Sequence, residues 1–258
     1  MAEVHHFTYG WITPAFSYSL SVIGSLLALI CTARARSTPV RASRARWLGL
    51  AAWALGGTGI WVMHFLAMLG FTIPGSSVRY DVGITIASWV IAVFTVGIGL
   101  FIVGMGRRAV WKILLGGLFT GLGVAGMHYT GMAAMRMQGT VGYDRRLVII
   151  SIAIAVVAAT VALWFTVTLR RPAHLGVAAL IMGIAVNGMH FTGMAAMRVH
   201  LAPGGQLEGV PPLVFLAPIM LFVMTVVITL AYALLRGVTS DVPWAYREGV
   251  AAGVRHGR

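Results

Sequence analysis

Two stretches of this chain read almost identically: GMHYTGMAAMRM at residues 126–137 and GMHFTGMAAMRV at residues 188–199. A fainter copy, WVMHFLAMLGFT, occupies residues 61–72. Each copy closes an apolar run of roughly 20 residues, the length that crosses a hydrocarbon core of about 30 Å. The same pattern extends outward along the chain. Of 258 residues, 59% are hydrophobic and only 10% are charged, against about 25% charged in soluble domains. The mean hydropathy is +0.89. Apolar runs between charged punctuation predict seven spans near residues 13–33, 47–70, 82–105, 110–135, 147–169, 174–198 and 211–235. The fold class is therefore an all-α membrane protein. Residues 1–12 read as an outer amino-terminal segment, 13–235 as the seven-helix domain and 236–258 as a cytoplasmic tail. Short loops make neighbouring helices antiparallel. The copies end the second, fourth and sixth helices, while Tyr80-Asp81 and Tyr143-Asp144 open the third and fifth. Each Asp is placed as an N-cap. The chain thus reads as a first helix followed by three repeated helix pairs, a duplicated packing unit that by itself implies no chemistry.

Charge sets the expected orientation. Arg34, Arg36, Arg41, Arg44, Arg46, Arg107, Arg108, Lys112, Arg170, Arg171, Arg236, Arg247, Arg255 and Arg258 fall on one side, fourteen of the 19 basic residues. The other side carries Arg79, Arg136, Arg145, Arg146 and Arg198 with Glu3, Asp81, Asp144 and Glu208. Basic loops stay in the cytoplasm, so the amino terminus is expected outside and the carboxy terminus inside. The formal net charge of +13 then reflects topology and anionic headgroups, and nucleic acid is not an expected partner. The single cysteine, Cys31, allows no intrachain disulfide and no multi-cysteine metal site. Residues 1–14 lack the basic segment of a cleavable signal.

The copies carry the candidate site. His64 lies 17 residues after Trp47, His128 16 after Lys112 and His190 16 after His174. At 1.5 Å per residue each histidine sits about 25 Å from the cytoplasmic end of its helix. Three imidazoles at one depth on three helices form a constellation. Residues four and seven positions on share a helix face. His128 is thus expected to align with Met132 and Met135, His190 with Met194 and Met197, and His64 with Met68, Phe71 standing in the last place. Met63, Met127 and Met189 precede the histidines and point elsewhere, to a neighbouring helix or a second site. Gly57, Gly121 and Gly183, seven residues before each histidine, would let that face approach other helices. Asn187 would either orient a ligand as an outer partner or tie two helices. Imidazole with thioether favours copper, Cu(I) above all. Zinc suits this donor set less well, and haem with His or Met axial ligands stays open.

Met127-His128-Tyr129-Thr130, with the relaxed copies Met189-His190-Phe191-Thr192 and Met63-His64-Phe65-Leu66, resembles the MHYT-domain family of bacterial integral membrane sensor domains. The likeness covers roughly residues 7–235. It implies seven helices, an outer amino terminus, and copper held by histidine and methionine through which oxygen, carbon monoxide or nitric oxide is sensed. By position it points to His64, Met68, His128, Met132, His190 and Met194, with Met63, Met127 and Met189 as further candidates. The first copy departs by lacking the Thr-Gly pair. His5 and His6 lie on the outer side, as caps to the site or as a mobile terminus, and Cys31 lies too far away. Many members of the family that the chain resembles carry cytoplasmic output domains. About 20 residues follow the seventh helix here, so an output would be read by a cytoplasmic or membrane partner in trans. The tail bearing Trp244, Tyr246, Arg247 and Arg255 is expected to lie on the inner surface as a basic amphipathic segment or to meet a partner.

Three functions compete on the sequence. The first is a copper-binding sensor of a diatomic gas, and the second is copper handling, by transport or delivery. Against a complete channel, the donors cluster in the outer half, and Met105 and Met182 stand isolated below them. The third is a haem or copper oxidoreductase. The spans offer no deep acid and no nucleophile–base pair, so an enzyme is not expected.

Overall fold

The fold follows from where helical hydrogen bonding starts and stops relative to the apolar runs. In a computed structural model that describes residues 10–106, 109–202 and 207–240, seven helices are long and apolar enough to cross a membrane. They are α1 (Ile12–Ser37), α2 (Arg41–Met68), α3 (Val82–Gly104), α4 (Val110–Ala133), α5 (Arg145–Thr168), α6 (Pro172–Ala195) and α7 (Leu216–Ser240). His5, His6 and the tail residues from Trp244 onward lie outside the described residues.

Both expected caps form. Asp81 Oδ1 accepts the Ile84 N–H at 3.1 Å, and Asp144 Oδ1 accepts those of Arg146 and Leu147 at 3.0 and 3.3 Å. Pro172 occupies the first turn of α6, where its missing N–H costs nothing. α1 runs past Arg34 and Arg36, and α2 starts at Arg41 rather than near 47. Hydropathy detects only the apolar core, whereas the helix continues through the headgroup layer while long arginine stems reach toward water.

The opposite ends need a correction. α4 stops at Ala133 and α6 at Ala195, and Met135 and Met197 enter strands. They therefore do not continue the helical faces of His128 and His190. Strand pairing takes over there: β1 (Arg79–Tyr80) pairs with β2 (Met135–Arg136), and β3 (Thr140–Tyr143) with β4 (Met197–His200), both antiparallel. The Asp81 N–H donates to the Ala134 carbonyl at 2.9 Å and the Asp144 N–H to that of Ala196 at 2.7 Å. These bonds satisfy acceptors that a helix end would leave open. Tyr80 also exchanges two 2.9 Å backbone bonds with Val210, drawing the α6–α7 loop into the same cap.

α1 to α6 close a ring, each packing on the next and α6 on α1. The histidine-bearing helices α2, α4 and α6 alternate with α3, α5 and α1. The place beside α6 that α3 takes beside α2 is filled by α1. α7 lies against α2, where Phe222 stacks on Trp53 at 5.6 Å and meets Trp89 edge-on at 6.0 Å. α2 is the most buried span, and its middle, Trp53–Val62, is a π-helix. A Cβ on Gly24 of α1 would collide with the backbone of Gly59 and Ala54, and one on Gly56 with that of Ala92 in α3. The widened segment is thus gripped on two sides by backbone contact that only glycine permits.

Candidate metal centre

One helical repeat from each even helix places an imidazole on the bundle axis at the capped end. His64 Nδ1 stands 2.9 Å from His190 Nδ1 and 3.2 Å from His128 Nδ1. The three ring centroids are 4.9, 4.9 and 5.2 Å apart, and the rings stand nearly perpendicular to one another. All three side chains are buried. Metal–nitrogen bonds of about 2.0 Å put the nitrogens of a trigonal or tetrahedral site about 3.3–3.5 Å apart. The two pairs that include His64, at 2.9 and 3.2 Å, come close to that, and one ligand nitrogen from each ring lies within 4.8 Å of the others. Without an ion, the arrangement is hard to satisfy. A neutral imidazole carries a single N–H, and a bare Nδ1 facing another bare Nδ1 gains nothing. The donor chemistry therefore fits a metal.

The far edges of the rings explain a residue whose role the sequence did not reveal. His64 Nε2 and His128 Nε2 have no hydrogen-bond partner. A Cβ on Gly131 would collide with His64 Nε2, and one on Gly193 with His128 Nε2. Each glycine of the Thr-Gly pair thus clears room for the imidazole of the preceding copy. The first copy has Ala67 at that position. The glycines seven residues before each histidine are buried but face outer neighbours instead: Gly57 meets Phe222, Gly121 the backbone of Val156, and Gly183 Tyr18 and Val22.

Asn187 ties helices together. Its Oδ1 accepts from Ser17 Oγ at 3.0 Å, and its Nδ2 donates to the Gly183 carbonyl at 2.9 Å. Trp61, the corresponding residue of α2, donates its indole N–H to Ser88 Oγ at 3.0 Å and so plays the same part. In α4 the equivalent bond comes from Tyr129, whose hydroxyl meets Ser151 Oγ at 2.7 Å. Each even helix is therefore fastened to the odd helix beside it by one side-chain bond to a serine. Thr192 donates to its own helix at Gly188, 2.7 Å away, and does not serve the triad.

Met68, Met132 and Met194, one turn beyond the histidines, are buried, as are Met63, Met127 and Met189. Met189 also lines a cavity of about 50 Å³ inside the bundle, walled by Leu55, Val124, Ala155, Ala159 and Met182 among others. Ala158, Met182 and Ala185 belong both to this cavity and to an apolar groove between α5 and α6. Outside the spans, Arg136 pairs with Asp81 at 3.0 Å and Arg198 with Asp144 at 3.6 Å. The Ile84 N–H and the Arg136 guanidinium hold the Asp81 carboxyl below the usual carboxylate range. These arginines stand eight residues after His128 and His190, and the first copy has Thr72 there.

Fold and triad together define a multi-pass membrane domain built on three histidine-bearing repeats. The family described as "Bacterial signalling protein N terminal repeat", MHYT, matches residues 57–117, 121–179 and 183–245, with one histidine of the triad in each. The chain belongs to the MHYT family and is a membrane signalling protein. It is 39% identical to the bifunctional diguanylate cyclase/cyclic di-GMP phosphodiesterase MucR of Pseudomonas aeruginosa, over 75% of this chain and 29% of MucR. It is 36% identical to the cyclic di-GMP phosphodiesterase NbdA of the same organism, over 78% of this chain and 26% of NbdA. The signaling protein YkoW of Bacillus subtilis is 29% identical, over 74% of this chain and 26% of YkoW. The chain thus spans less than a third of the length of these relatives. No solved structure matches it.

Proposed function

We propose that the triad holds copper and that the domain senses a diatomic gas there. The observation that carries this reading is the convergence of three buried Nδ1 atoms, with His64 at 2.9 and 3.2 Å from the other two and no carboxylate grouped with them among the described residues. The acids among the described residues with side chains outside the spans, Asp81, Asp144 and Glu208, belong to the loops. A buried ion here would keep its whole charge, and the cost of removing charge from water rises steeply with its magnitude. Monovalent copper is therefore favoured over a divalent ion. It would supply a soft Lewis acid with a coordination position left open. The methionines a turn beyond, Met68, Met132 and Met194, are the candidates to complete the shell, with Met63, Met127 and Met189 next.

The gas reading has its own support. The cavity touching Met189 is almost wholly apolar and adjoins a groove between α5 and α6. Alanine and methionine side chains line both, so a small uncharged molecule dissolved in the bilayer would meet them on its way to Met189, the residue before His190. A response to it requires two arrangements of the bundle that bind it differently. The enzymatic names of MucR and NbdA suggest that the output is a change in cyclic di-GMP, produced by a further domain or a partner.

Metal analysis and absorbance of the detergent-purified protein, before and after nitric oxide, test the reading. Wild type should retain one copper per chain and change its spectrum with nitric oxide. The His128→Ala/His190→Ala protein should lose the metal while keeping its helical circular dichroism. Wild-type copper content in that variant sinks the site. Copper uptake into vesicles containing this protein alone would favour the handling function instead.

A further inference from the structure

The middle of α2 is unlike the other two histidine-bearing helices. Trp53–Val62 is π-helical, whereas α4 and α6 stay α-helical throughout. A π-helix bonds five residues along the chain instead of four, is rare, and often marks a functional site. Its effect shows when positions are counted back from the histidines. Leu118 and Leu122 of α4 and Leu180 and Ile184 of α6 are exposed, while their α2 counterparts, Ala54 and Thr58, are fully buried. The π turns thus rotate the half of α2 before them relative to His64. A return to α-helical register would turn His64 about the helix axis and carry it out of the triad.

Three glycines in this segment face three different helices. A Cβ on Gly56 would lie 2.8 Å from the Ala92 carbonyl oxygen of α3, and the backbone of Gly59 stands where a Cβ on Gly24 of α1 would go. A Cβ on Gly57 would lie 2.9 Å from the Phe222 ring of α7. The first two contacts are backbone against backbone and have little give. The third is with one side chain on a helix outside the ring. α7 meets the ring through a single face: Ile219 and Val226 are buried and Phe222 and Val223 half-buried, while Leu221, Met224 and Ile228 are exposed. Besides stacking on Trp53 and meeting Trp89, the Phe222 ring stands 6.5 Å from that of Trp61. Trp61 precedes His64 by one turn and packs on Phe65 at 4.9 Å. A groove of about 300 Å³, lined by Trp61, Val82, Ile86, Trp89 and Pro218, leaves the Phe222 ring room to move.

We propose that α7 and the π segment of α2 form one coupled element. Docking of Phe222 against Gly57 and Trp61 holds the register that keeps His64 in the triad, and displacement of His64 loosens α7. As the route of a signal, this rests on the sensing reading above. As a coupling between two parts of the chain, it needs no metal.

Amide hydrogen exchange of the full chain in detergent, metal-free and read by mass spectrometry, tests the coupling in both directions. Phe222→Ala should speed exchange across residues 53–62 about tenfold and leave the corresponding stretches of α4 and α6 unchanged. Phe222→Leu, which keeps apolar bulk, should act in the same direction and covers the case in which the alanine protein fails to fold. His64→Ala should speed exchange across residues 216–229. Met224→Ala, on the exposed face of α7, should change neither segment. Coupling is reciprocal, so an unchanged segment 53–62 in the Phe222 variants, or an unchanged segment 216–229 in His64→Ala, overturns the proposal. A rise spread evenly over all the helices overturns it too, because that is general loosening. Added copper separates this proposal from the sensing reading. Wild type that retains copper should exchange more slowly across residues 216–229, and no change there removes α7 from the path of the signal. Wild type that retains none defeats the copper site, while the metal-free comparison still decides the coupling.

Discussion

At the scale of single residues, the repeated dodecamer contains two kinds of glycine that a sequence cannot tell apart. Gly126 and Gly131 both recur, as Gly188 and Gly193. A Cβ on Gly126 or Gly188 meets nothing within 4 Å, whereas one on Gly131 or Gly193 strikes an imidazole of the preceding copy. Gly131→Ala should therefore push His64 out of the triad and sharply lower copper retention. Gly126→Ala should retain copper as wild type does and gain slightly in helix stability, by up to about 1 kcal/mol. Metal analysis of the two purified variants, with circular dichroism as a folding control, separates the cases. Equal copper content in both would show that the contact does not position His64. The histidines were legible beforehand because three copies at one helical depth can converge. The role of Gly131 was not, because the ring it accommodates comes from another repeat, and only the packed bundle brings the two together.

At the scale of elements, the helix starts were legible and several stops were not. An Asp before an apolar run states its own role, and both caps form through that carboxylate. The ends of α4 and α6 depend instead on strands donated by an earlier loop, a non-local pairing that no helical period announces. The π segment of α2 is equally hidden, since its cause is backbone contact with α1 and α3. The same pairing explains why the first copy departs from the others. Arg136 and Arg198 hold the Asp of the preceding loop, and Ala67 and Thr72 stand where no copy comes before to be held. The pair gives the cap a pH dependence of definite sign. The Asp81 carboxyl is depressed below its unfolded value of about 3.9. Its contribution is therefore complete above that value and disappears as pH falls through the folded one. Asp81→Asn keeps a capping oxygen but not the charge. It should unfold at a lower temperature than wild type at pH 7, and the gap should close below about pH 4. A gap unchanged from pH 7 to pH 3 would remove the ion pair from the account of the cap.

At the scale of the whole molecule, chemistry is distributed along one axis. The triad occupies one end and a pocket lined by Arg36 and Arg44 the other, and the apolar cavity between them shares Thr166 with that pocket. Which end faces the cytoplasm determines how a signal would run. Charge argues for the arginine-rich end, because basic residues are retained on the inner side during insertion. The loops at the triad end carry Asp81, Asp144 and Glu208, while the short turns at the other end carry arginine and lysine. The chain is well suited to a direct test, since its single cysteine, Cys31, is fully buried and should stay silent to thiol reagents. Ser77, exposed in the loop after α2, and Ser37, exposed at the end of α1, mark the two faces. In intact cells a membrane-impermeant maleimide should label Ser77→Cys and leave Ser37→Cys unlabelled until the membrane is opened. The reverse pattern would place the triad on the cytoplasmic side. The histidines would then report on the cell interior, and a gas or copper ion arriving from outside would no longer be the natural ligand.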